Sequence, residues 1–62
     1  MSSPQEVVWA IEFALSRDVD ASRPLLKHYP EGMRELGEEV LAAKERLLAA
    51  LKAFLQAHPA RT

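Results

Sequence analysis

The sequence predicts an all-α fold: a helical hairpin of two main helices with a short middle helix, dimerising into a four-helix-type bundle. Three observations point there. Apolar residues recur at alternating spacings of three and four from Met33 to Phe54, the period of a packed helix. Ser3-Pro4-Gln5-Glu6 carries a helix start. No run alternates apolar and polar in the manner of a strand.

The first helix is expected over residues 4–17. Ser3 is placed as N-cap, Pro4 at N1 and Glu6 at N3, a capping box in which hydroxyl and carboxylate each take up a free backbone N–H. Asp18-Val19-Asp20-Ala21-Ser22 then reads as a loop, because short polar side chains compete for backbone hydrogen bonds. A short helix is expected over 23–29 and ends at Tyr29, since Pro30 disfavours the α region in the residue before it. Pro30 is suited to N1 of a long helix over 31–57. Glu31, Glu35, Glu38 and Glu39 lie at its positive end, and His58-Pro59 stops it. The tail is residues 58–62, with Ala60-Arg61-Thr62 expected to fray. The whole, residues 1–62, reads as one small helical domain.

Two seams lie side by side on the long helix. One is Met33, Leu36, Val40, Ala43, Leu47, Ala50 and Phe54; the other is Leu41, Lys44, Leu48, Leu51 and Leu55. Together they are wider than a two-stranded coiled coil needs, so at least two neighbouring helices are expected. The first helix has a broad apolar arc of Val7, Val8, Ala10, Ile11, Ala14 and Leu15. Trp9 and Phe13 form a separate ridge on nearly the opposite side. Either Leu25, Leu26 and Tyr29 fold over that ridge, or another chain does.

Composition narrows the function classes. The 62 residues are 48% hydrophobic and 27% charged, which places the chain among globular domains. The absence of Cys removes disulfides and thiolate chemistry. Ordering a chain this short costs about 90 kcal/mol, and burying about 3,600 Å² of apolar surface contributes about as much. Stability is therefore expected to come from a partner chain. The longest apolar stretch, Val7 to Ile11, is far too short to span a bilayer, and no targeting segment is visible, so a cytoplasmic location without membrane contact is expected. The lack of Asn and the single Thr point to a thermostable protein.

The chemistry-bearing residues do not assemble into a motif. His28 and Glu31 are three apart and His58 is distant, short of the three or four ligands a zinc site needs. Gly32 and Gly37 are isolated rather than part of a phosphate loop, and no nucleophile, base and orienting group stand in register. No metal, cofactor or catalytic site is expected, and the chain is read as a non-enzyme. Eight basic against nine acidic residues, a net charge of -1, disfavour nucleic acid. The alternative reading is a nucleic-acid-binding regulator using Arg17, Arg23 and Lys27, which flank the expected loop.

The leading expectation is thus a protein-protein interaction or self-association module, either a homodimer or a subunit of a larger complex. Its interface is expected at Trp9, Phe13, Leu48, Leu51, Phe54 and Leu55. The last four follow from length: a 14-residue first helix cannot cover a partner about 40 Å long.

Overall fold

The computed structural model describes residues 3–59. Helix α1 spans Pro4–Leu25, a 3₁₀ turn covers Leu26–His28, and helix α2 spans Arg34–Ala57. The two helices pack together as a hairpin, and no strand is present among the described residues. The molecule is a rod of 47 × 17 × 15 Å.

α1 begins where the sequence indicates. Ser3 is extended, and its hydroxyl accepts a hydrogen bond from the Glu6 amide at 3.2 Å. The helix then runs straight through residues 18–22, where a loop was expected. The Ser22 hydroxyl donates to the Asp18 carbonyl one turn back at 2.7 Å, so its polarity is absorbed within the helix. Asp18 pairs with Lys44 across the hairpin at 2.7 Å, and Val19 is the most buried large side chain, 2% exposed. Tertiary contacts at 18 and 19 thus outweigh the weak local preference for a turn.

Pro24 sits inside α1, where its missing N–H withholds a donor from the Asp20 carbonyl, and α1 passes into the 3₁₀ turn after Leu25. Of the middle helix expected over 23–29, the 3₁₀ turn is the separate part, closed by the Tyr29 amide donating to the Leu26 carbonyl at 3.2 Å. Tyr29 is extended, as the following proline requires. Pro30 opens a turn instead of a helix, with the Met33 amide donating to the Pro30 carbonyl at 2.9 Å. Gly32 lies at φ +90°, a conformation open to glycine and outside the helical range, so α2 starts at Arg34 rather than at residue 31. At the far end the His58 amide donates to the Phe54 carbonyl at 2.8 Å. The expected frayed segment 60–62 lies outside the described residues.

The buried positions follow one pattern on each helix. On α2, Gly37, Leu41, Lys44, Leu48, Leu51 and Leu55 are buried or half-buried, and every other residue is exposed. On α1 the matching row is Gln5, Val8, Glu12, Leu15, Val19 and Ser22, continued by Leu26 in the turn. Both rows alternate steps of three and four, so they form the seam along which the helices meet. Its tightest point is at the loop end. The Tyr29 ring lies on the backbone of Gly37, where a Cβ would come within 2.8 Å of the ring.

Candidate functional site: an unpartnered side of the hairpin

One of the two α2 seams closes the hairpin, and it is the one containing Lys44. The longer, more apolar seam stays open. Met33, Leu36, Val40, Ala43, Leu47, Ala50 and Phe54 are all exposed, Leu47 at 54%. From Leu36 onward, each member sits one residue before an inward-facing position. The same offset on α1 selects Val7, Ile11, Ala14, Asp18, Ala21 and Leu25, which are also all exposed. Stepping back one residue turns a helix by ~100°. In an antiparallel pair this step turns the two rows to the same side. The hairpin therefore presents one continuous face, apolar on both helices apart from Asp18.

The opposite side is different. One residue after the inward positions, α2 shows Glu38, Ala42, Glu45, Ala49, Lys52 and Gln56. On this side Arg23 reaches Glu45 at 2.7 Å. Trp9 and Phe13 stand here too, 5.7 Å apart and stacked, with the Arg17 guanidinium 5.7 Å from the Phe13 ring. Trp9 remains 59% exposed and borders a shallow concavity with Gln5, Glu6, Leu55 and Pro59. Leu25, Leu26 and Tyr29 do not cover the ridge, because the unbroken α1 carries them to the far end of the rod.

The residues expected at an interface thus divide. Trp9, Phe13 and Phe54 are exposed; Leu48, Leu51 and Leu55 are half-buried in the seam with α1. The C-terminal overhang is absent, since α1 has 22 residues against 24 in α2 and runs nearly its full length. The open face was legible in the sequence as the first α2 seam. Its α1 half, with Asp18, Ala21 and Leu25, was hidden by the expected loop.

The basic cluster is not assembled. With α1 unbroken, Arg17 and Arg23 point about 120° apart around the helix. Arg17 lies over Phe13, Arg23 is neutralised by Glu45, and Lys27 sits in the 3₁₀ turn. His28 and His58 lie at opposite ends of the rod, the latter with its ring 4.8 Å from Phe54. No three His, Cys, Asp or Glu residues among those described are placed to hold one metal ion. No described helix is long and apolar enough to cross a membrane.

No protein-family model matches the chain, and no curated protein or solved structure matches it. The functional reading therefore rests on the face itself.

Proposed function

We propose that this chain is a small helical protein-protein interaction module that acts by burying the open side of its hairpin against another polypeptide. The observation that carries this is the amount of surface left uncovered. The chain exposes 5056 Å². A compact monomer of 6.9 kDa is expected to expose about 4,000 Å². The excess, about 1,000 Å², is close to the ~800 Å² that one partner contributes to a standard interface. Among the described residues only Val19 and Leu41, at 2% and 8% exposure, are buried apolar side chains. Such a hairpin has little stability of its own, and a partner on the open side supplies the missing burial.

The test is site-specific photo-crosslinking in the host cell. Benzoylphenylalanine in place of Val40 or Leu47 is expected to give a discrete covalent adduct. The same probe in place of Ala42 or Ala49, on the opposite side, is expected to give none. Equal labelling at all four positions, or adducts only from Ala42 and Ala49, would remove the open side as the interface.

A further inference from the structure

We infer that the occupant of the open side is a second copy of this chain, related by a two-fold axis running along the rod, so that α1 of each copy lies on α2 of the other. This rests on the interaction reading above and names its partner.

The first support is area. One side of the rod, 47 by 17 Å, is about 800 Å² in projection, which matches the half-interface of a stable complex. A copy presents the same surface, so one face serves both sides of the contact, as two-fold dimers require. Ala43 and Ala50 alternate with Leu47 and Phe54 along α2, which lets a neighbouring backbone approach at the small residues.

The second support is charge, and it selects the axis. The open face carries a single charged residue, Asp18, and Lys44 reaches it from the seam at 2.7 Å. The face is thus electrically neutral near its middle. Burying that pair against an apolar partner strips both ions of water with nothing added in return. A copy related by the axis along the rod keeps the same level while exchanging left and right. Each Asp18 then lies opposite the partner's Lys44, and the four charges alternate in sign. An axis across the rod would instead lay α1 on its own mate and bring the two Asp18 carboxylates toward each other, a like-charge contact in a poorly hydrated setting.

Light scattering coupled to size exclusion, together with cysteine pairing, tests this. The full-length chain is expected at twice the chain mass, and Leu47→Glu at one chain mass. Mixed A21C and A43C chains are expected to form a disulfide with each other on oxidation, because the two positions are nearly level and face across the proposed interface. This readout keeps the large apolar residues of the face and changes it only by one small Ala→Cys substitution per chain, so it stands even if Leu47→Glu unfolds. A helical wild-type chain at one chain mass would overturn the second copy as occupant, while leaving the crosslinking test of the interaction reading intact. A dimer in which A43C pairs with A50C rather than with A21C would overturn the axis. A dimer indifferent to Leu47→Glu and unable to pair A21C with A43C would overturn both the inference and the open side as interface.

Discussion

Gly37 shows how a single residue sets the geometry at the closed end of the hairpin. It lies in α2, where any residue but proline would favour the helix more, and it is buried. The Tyr29 ring occupies the space a side chain would need, with ring carbons 2.8 to 3.1 Å from an ideal Cβ. Tyr29 is itself held by the extended backbone that Pro30 demands. Two opposing effects follow for Gly37→Ala: about 1 kcal/mol gained in helix propensity, and a clash costing about 1–3 kcal/mol. We expect Gly37→Ala to be neutral to destabilising in the wild-type chain and stabilising by about 1 kcal/mol in a Tyr29→Ala background. Urea denaturation of the four chains in this cycle measures the coupling. A coupling near zero would mean that the ring moves aside freely.

At the scale of the element, the continuity of α1 decides most of the rest. A break at 18–22 would have left a 14-residue helix and an uncovered C-terminal half of α2. The unbroken helix carries Val19 into the seam and Asp18 to Lys44. Asp20→Pro separates the two possibilities. In a loop the change is mild, whereas in the middle of a helix it removes a backbone hydrogen bond and collides with the carbonyl of Ser16, at about 3 kcal/mol or more. We expect the larger loss, seen as a fall in the urea midpoint. The Arg23–Glu45 pair joins the same two helices but lies in solvent. Its loss in Glu45→Gln is expected to change stability by no more than about 0.5 kcal/mol, measured in the same titration.

At the scale of the whole molecule, the rod leaves a row of large apolar side chains exposed, among them Val7, Ile11, Leu36, Val40 and Leu47. In a homodimer of the proposed kind, folding and association are one equilibrium. Each tenfold rise in protein concentration is then expected to add about 1.4 kcal/mol to the apparent stability. Thermal melts across two decades of concentration, followed by circular dichroism, read this directly as a rising midpoint. A midpoint that stays constant over that range is the behaviour of a self-sufficient monomer. The Trp9–Phe13 ridge lies on the other side of the rod, so Trp9→Ala is expected to leave the midpoint's concentration dependence in place.

The amino-acid sequence by itself determined the helical class, the capped start at Ser3, the stop at Tyr29-Pro30 and the end at His58, because each depends on the chemistry of a few adjacent residues. It also determined that α2 carries two seams, since periodicity is local. Which seam closes the hairpin was decided only by tertiary structure. The seam with Gly37 and Lys44 is the less apolar, yet it packs inward: Gly37 admits the Tyr29 ring, and Lys44 finds Asp18. The length of α1 was decided in the same way. Residues 18–22 have the composition of a turn; the Ser22 hydroxyl donates to the Asp18 carbonyl within the helix, and the contact of Asp18 with Lys44, more than twenty positions away, ties the segment to α2. Local preference there amounts to a few tenths of a kcal/mol per residue, and the burial of Val19 alone outweighs it.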